Sequence, residues 1–319
     1  MAEWEEPMRF VLMIEPQQGL TYDDQLAVAK RAEAAGFEAL FRSDHYESFP
    51  GPDDNPTTDA WAVIAGLARE TSRIHLGTLV SPVTFRLPGN LAKVVATVND
   101  MSGGRIELGL GTGWHDSEHR RHGFPFPPIT ERADMLEEQL QIVRGLWTEP
   151  DGWSFRGSHY SIDDARFRPR PKPRPRIMVG GGGTPRSMRI AARWADEFNL
   201  SSSTPELARD KYAALTKACQ AAGRDPASLT RSAMVGVLVG ANGAEVRARE
   251  TALLAALGQD AGSSWLDERR QRWIYGTPDQ ARARIEQYAE AGVERMMLQD
   301  FVPRDLDMID LLGREIVAR

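Results

Sequence analysis

The residues best suited to chemistry each stand directly after a short apolar run. Glu15 follows Arg9 to Ile14, and Ser43-Asp44-His45 follows Phe37 to Phe41 with Arg42 between. Leu79-Val80-Ser81-Pro82 closes the run that begins at Ile74, and Gly111-Thr112-Gly113-Trp114 follows Arg105 to Leu110. Gly180, Gly181, Gly182 and Gly183 come after Ile177-Met178-Val179, and Ser201-Ser202-Ser203 after Glu197 to Leu200. An imidazole titrates near neutrality, so His45 beside the Asp44 carboxylate is a candidate for holding or relaying a proton. Glu15, placed at the end of an apolar strand, is a second acid–base candidate, and Trp114 reads as a wall aromatic. Four glycines let the backbone approach a ligand closely. Thr184 and Pro185 then open a helix whose free N–H groups and dipole favour an anion. A bound phosphate is the expected occupant; a tight turn would need the glycines for sterics alone. The run is not the dinucleotide pattern G-x-G-x-x-G, and Asp196 comes too early to hold a ribose.

A different chemistry is suggested by His115, Glu118, His119 and His122, which share one face at helical spacing. Asp116, Arg120, Arg121 and Gly123 are interleaved with them. That mixture reads as a solvated helix, and no metal site is expected.

The elements that must position these residues alternate from end to end. Helical patterns cover Tyr22 to Ala35, Thr57 to Thr71, Leu87 to Met101 and Thr130 to Trp147, the last with Thr130 as its cap. Others cover Pro205 to Ala222, Ala244 to Leu257, Pro278 to Ala291 and Leu306 to Val317. Further strands are expected at Met234 to Val239 and Val293 to Leu298. About eight strands, each followed by a helix, predict an α/β (β/α)8 TIM barrel; a doubly wound sheet is the rival arrangement. The whole chain, 1–319, is expected to form a single domain with small insertions at about 150–170 and 258–276. Between Arg166 and Arg176 a basic residue falls at every second position among four prolines, an extended and solvated lead-in to the glycine strand. In a parallel barrel the active site lies at the C-terminal strand ends, where the polar clusters above collect.

Composition narrows the partners. With 319 residues, 41% hydrophobic and 26% charged, the chain is of ordinary globular type. A formal net charge of −6 disfavours nucleic acid and anionic membranes as partners. The single cysteine, Cys219, excludes an intrachain disulfide and a Cys-rich metal site. No apolar run reaches membrane-spanning length, and the acidic start of the chain has no signal-like apolar stretch, so a soluble, cytoplasmic protein is expected.

Taken in order, these pieces resemble the luciferase-like flavin and deazaflavin (F420) oxidoreductases. The likeness is carried by Ala32 to His45, by Leu76 to Pro82 with Phe85-Arg86, by Gly103 to Trp114 and by Val179 to Gly183. The Ser-Asp-His triplet and the Gly-Thr-Gly-Trp strand end are most similar to the F420-dependent branch. That resemblance implies an oxidoreductase moving a hydride between F420 and a small organic substrate. It places Asp44 and His45 against the deazaflavin ring and a non-proline cis peptide at Leu79–Val80 behind it, with Ser81, Thr112, Gly113 and Trp114 nearby. It puts the cofactor phosphate on the glycine run and Thr184. Sugar-phosphate dehydrogenases of the family carry a glutamate after Gly-Thr-Gly; here Trp114 stands there. Their activity is therefore not implied, and an acid role falls to Glu15 if one is needed. The alternatives are an FMN-dependent monooxygenase using reduced flavin and oxygen, and a flavin-binding barrel without catalysis. A homodimer is implied by the resemblance alone.

Overall fold

Short apolar runs alternating with amphipathic ones are accommodated when strands pair in parallel, buried on both faces, with helices outside. The computed structural model describes residues 8–260 and 263–318. Residues 1–7, 261, 262 and 319, which include the acidic start and part of the expected domain and second insertion, lie outside the described residues. In chain order, β1 (Arg9–Ile14) precedes α1 (Tyr22–Ala34), and β2 (Ala39–Arg42) precedes α2 (Ala60–Glu70). β3 (His75–Thr78) and the short β4 (Ser81–Pro82) lead to α3 (Pro88–Ser102). β5 (Ile106–Gly111) is followed by α4 (Asp116–His122) and α5 (Ile129–Thr148). An antiparallel hairpin, β6 (Trp153–Arg156) and β7 (Ser161–Ala165), comes before β8 (Arg176–Gly181) and α6 (Pro185–Trp194). β9 (Glu197–Ser201), α7 (Pro205–Ala221), β10 (Thr230–Val239) and α8 (Gly243–Ala256) continue the alternation. The segment after α8 holds α9 (Asp267–Arg270) and β11 (Ile274–Gly276), then α10 (Pro278–Glu290), β12 (Arg295–Asp300) and α11 (Leu306–Leu312) follow.

Eight of these strands close a parallel ring in the order β1, β2, β3, β5, β8, β9, β10, β12 and back to β1, so the TIM barrel expected from the alternation is the fold. β11 pairs with β10 beside the ring. Alternate side chains fill the interior: Val11, Met13, Ala39, Phe41, Leu79, Met178 and Met297 form one buried cluster there. The opposite faces of the strands pack on the helices in a second, larger core. Among the described residues no helix is long and apolar enough to cross a membrane.

Below that inner cluster, where the strands begin, the barrel is closed by charge. Arg295 is fully buried; its Nη1 donates to Glu107 Oε2 at 2.8 Å and to Glu197 Oε2 at 2.9 Å, and its Nε to Glu38 Oε2 at 3.1 Å. Burial alone would raise the Glu107 carboxyl, but the Arg295 charge and hydrogen bonds from His75 and Arg295 hold it far below the usual carboxylate range.

Three boundaries differ from expectation for local reasons. The run from Ile74 is not one strand but two, parted at Leu79–Val80, whose peptide is cis. The last strand begins at Arg295, not Val293, and so ends on the polar pair Gln299 and Asp300. α5 begins at Ile129 after Pro128, so Thr130 lies inside the first turn and does not cap it.

Candidate active site

The geometry is built from the turn after β2. Arg42 is buried there, and it donates to Gln25 Oε1, to Thr58 and to the carbonyl of Ser43, which ties β2 to the loop before α2. The turn then presents His45 at the barrel mouth. Its Nδ1 lies 2.9 Å from Glu118 Oε2, on α4. Glu118 is fully buried, and its other oxygen accepts the backbone N–H groups of Tyr46 and Glu47. Burial pushes this carboxyl up, yet the His45 contact and the two N–H groups bring it below its ordinary value. A carboxylate so held fixes the tautomer: Nδ1–H donates to it, and Nε2 is left for the cavity. The ring is also boxed by Phe49, at 4.5 Å between centroids, and Trp114, at 5.9 Å.

Asp44 points the other way. Its carboxylate accepts Ser81 Oγ at 2.6 Å and both terminal nitrogens of Arg86, and it is 1% exposed. Arg86 also reaches Asp59 and the Tyr46 hydroxyl. Neither Asp44 nor Ser81 lines the cavity that His45 faces. They form the wall behind it, so the carboxylate that partners His45 is Glu118, which the sequence had suggested only as part of a solvated helix. Two of that helix's residues, Glu118 and His119, are in fact buried.

The other three histidines of the stretch are spent elsewhere. His119 Nε2 meets Thr84 Oγ1 at 2.6 Å while its Nδ1 meets the His115 carbonyl at 2.7 Å, and burial lowers its pKa. His115 pairs with Glu47, and His122 stacks on Phe124. Among the described residues no group of three His, Cys, Asp or Glu is placed to hold a metal ion.

Beside His45 lies a cavity of about 340 Å³. Leu79, Val80, Thr112, Gly113, Trp114, Gly180, Gly181 and Gly182 line it, together with Asn199, Ser201 and Met234, which strand alternation on β9 and β10 turns inward. The Val80 side chain occupies space that three glycines leave. A Cβ on Gly109, Gly111 or Gly180 would come within 3.0, 2.6 or 2.9 Å of Val80 methyls. Gly181 and Gly182 differ. Neither has a positive φ, and a Cβ on either would meet no protein atom within 4 Å. Neither the chain's own conformation nor its packing demands glycine there. Gly183 (φ +68°) and Thr184 lie outside the lining and belong to the turn into α6, where Thr184 accepts the Ser187 N–H.

A second hollow, of about 360 Å³, adjoins the first, and His45, Leu79, Trp114 and Met234 wall both. Glu15 faces it, held by Gln17 Nε2 at 2.7 Å on one oxygen and by Gln299 Nε2 on the other. Its aromatic walls, Trp265, Trp273 and Phe301, were not singled out in the sequence, because two of them belong to a segment that read only as an interruption of the alternation. Trp273 fits against Gly236 of β10, where a Cβ would lie 2.1 Å from the indole. It stacks on Phe301 at 5.4 Å and 7°.

Known proteins share this chain's sequence pattern and its barrel. The chain is 28% identical to the F420-dependent glucose-6-phosphate dehydrogenase of Amycolatopsis mediterranei, over 86% of this chain and 87% of that one. It is 28% identical to the pyrimidine monooxygenase RutA of Escherichia coli, over 81% and 71%. An F420-dependent secondary alcohol dehydrogenase, solved with an F420–acetone adduct, superposes with a TM-score of 0.84 at 21% identity, covering 98% of this chain and 99% of that one. The description of luciferase-like monooxygenases matches residues 8–295, so the barrel whose mouth His45 and the glycine strand share belongs to the luciferase-like monooxygenase family.

Proposed function

We propose that this protein is an F420-dependent oxidoreductase acting on a small organic substrate, with His45 as its proton-handling residue. The observation that carries the reading is His45 itself: locked by Glu118 on Nδ1, it stands in the wall common to both hollows. The cavity beside the glycine strand suits a tricyclic ring with a phosphate-bearing tail. The bare backbone of Gly181 and Gly182 and the N-terminus of α6 would receive the phosphate. Leu79 and Val80 would back the ring, and Trp114 would flank it. Deazaflavin, when bound, supplies a two-electron hydride carrier. The chain's own part is to bind, to exclude water with Phe49 and Trp114, and to hold or release at His45 Nε2 the proton that accompanies hydride transfer. Glu15, with both oxygens engaged by glutamines, orients substrate polar groups in the second hollow. Asp44 acts through the wall, by fixing Arg86 and Ser81 behind the Leu79–Val80 backbone.

The likeness to a pyrimidine monooxygenase supports a second reading, FMN with oxygen. Titration of the purified protein with F420 and with FMN, followed by anaerobic turnover, separates the two. Tighter F420 binding and oxygen-independent turnover are expected; preferential FMN binding with oxygen-dependent turnover would sink the F420 reading. Binding with no turnover across a broad panel would leave a flavin-holding barrel. The chain as one domain, a homodimer and a cytoplasmic location complete the proposal, and light scattering of the pure protein checks the dimer.

A further inference from the structure

The second hollow carries more charge than the proposed chemistry uses. Arg269 and Arg272, on the segment between α8 and α10, both line it. Among the described residues neither has an ion-pair partner, in contrast to Arg270 between them, which binds Glu250 and Asp267. Burial and the neighbouring Arg272 charge hold Arg269 below the usual guanidinium range. The exposed Glu268 offsets this only in part; two cations brought together without an ion-pair partner repel one another, and an anion between them removes that repulsion. Arg272 is also short of hydrogen bonds: its Nε is buried without a partner, and Nη1 reaches only the Ser202 carbonyl at 3.4 Å. Arg269 is held flat, its guanidinium carbon 3.7 Å from the centre of the Trp265 ring and Nη1 donating to the Trp265 carbonyl. A stacked guanidinium keeps its edge available for a carboxylate. The remaining charged or titratable groups facing the hollow are His45 and Glu15, and Glu15 has both oxygens occupied. The rest of the wall is ring surface: Trp273 on Phe301 on one side, Phe49 and Trp114 on the other.

We infer that the substrate is a flat aromatic carboxylic acid, its carboxylate held by Arg269 and Arg272 and its ring between the aromatic walls, with the reacting end toward His45. The inference rests on the reading of His45 as the reacting end of the site. The volume, about 360 Å³, lies in the lower part of the roughly 300–1,000 Å³ span of small-molecule sites, so one or two fused rings fill it. In a chain of net charge −6, these two arginines are a local reversal of sign at a cavity wall.

The probe is 2-naphthoate, compared with its uncharged counterpart 2-naphthamide, binding to the full chain by calorimetry with and without F420. Naphthoate is expected to bind at least about tenfold more tightly than the amide, since a charge-assisted guanidinium pair is lost with the carboxylate. Arg272→Gln should remove that preference, and its circular dichroism should match the parent, because the side chain makes no ion pair. Equal binding of acid and amide, or an undiminished preference in Arg272→Gln, overturns the inference. So does displacement of naphthoate by F420, which would give the arginines to the cofactor. If acid is preferred over amide while F420 fails to bind, the substrate class stands and the cofactor reading falls.

Discussion

Arg295, at the end of the barrel where the strands begin, is enclosed by Glu107, Glu197 and Glu38, whereas Arg269 and Arg272, at the opposite end, are in no ion pair among the described residues. The same contrast runs through the acids. Glu107 answers Arg295 through both oxygens. Asp300, at the finishing end of β12, takes one backbone N–H from Val302 and leaves Oδ2 buried without a partner. At the closed end charges pair across the strands, although Glu197 Oε1 and Arg176 Nε stay buried without a hydrogen bond. At the open end Asp300, Arg269 and Arg272 are in no ion pair among the described residues, which is how this end differs from the plug.

The largest effect should come from the plug. Arg295→Met leaves buried Glu107 with only His75 and buried Glu197 with only Arg176, and removing one partner of such a network costs on the order of 3–5 kcal/mol. Urea denaturation checks it; a midpoint equal to the parent's would end the contrast between the two ends. Because Glu107 is depressed in the folded chain, its contribution is present above the ordinary carboxylate range and is lost only as pH falls through its lowered value.

Asp300 should show the opposite sign. Burial raises its pKa to about 7, so the folded chain binds a proton there that the unfolded chain has released. Stability should fall as pH rises from the ordinary aspartate range through about 7, with the full penalty above it. Asp300→Asn should therefore stabilise at pH ~8, by on the order of 2–4 kcal/mol, and give nothing at pH ~4. Thermal melts at the two pH values test this, and equal shifts at both would refute it.

Next in size is His45→Ala. Turnover should drop by on the order of 10²-fold, as for loss of an acid–base group, with cofactor affinity and urea midpoint little changed. Near-normal turnover would make His45 a packing residue. The smallest effect belongs to the glycine strand. Gly182→Val meets open space, so the melting temperature should hold while cofactor affinity falls by about tenfold, or ~1.4 kcal/mol. Gly180→Ala instead runs into Val80 and should lower the melting temperature. Loss of stability in Gly182→Val would remove the reason to see a cradle there.

Periodicity and turn residues were enough to read the barrel, because parallel strands buried on both faces need apolar runs, and glycine, threonine and proline mark the turn into α6. The position of His45 at a strand end was legible for the same reason. Its partner was not. Glu118 is distant in sequence and sits among charged neighbours, and only the packing of α4 against the β2 turn buries it. Asp44 was misleading in the opposite sense: adjacency to His45 says nothing of side-chain direction, and Arg86 draws it away. Arg295 reads as an ordinary charge at the start of an apolar strand until the ring closes and turns it inward. Trp265, Arg269, Arg272 and Trp273 went unnoticed because an insertion is recognised by the pattern it breaks, which carries no information on what it covers.

The notch at Gly236 makes that insertion less independent than its place in the chain suggests. The indole of Trp273 occupies the volume that any side chain at 236 would claim, so the two positions behave as a single unit. A graft that swaps the 263–276 segment for another must change 236 in step. A smaller residue at 273 opens a void in the wall, and a larger one at 236 expels the ring. Re-engineering the chamber for new molecules therefore starts on a barrel strand, one layer beneath the segment that visibly shapes it.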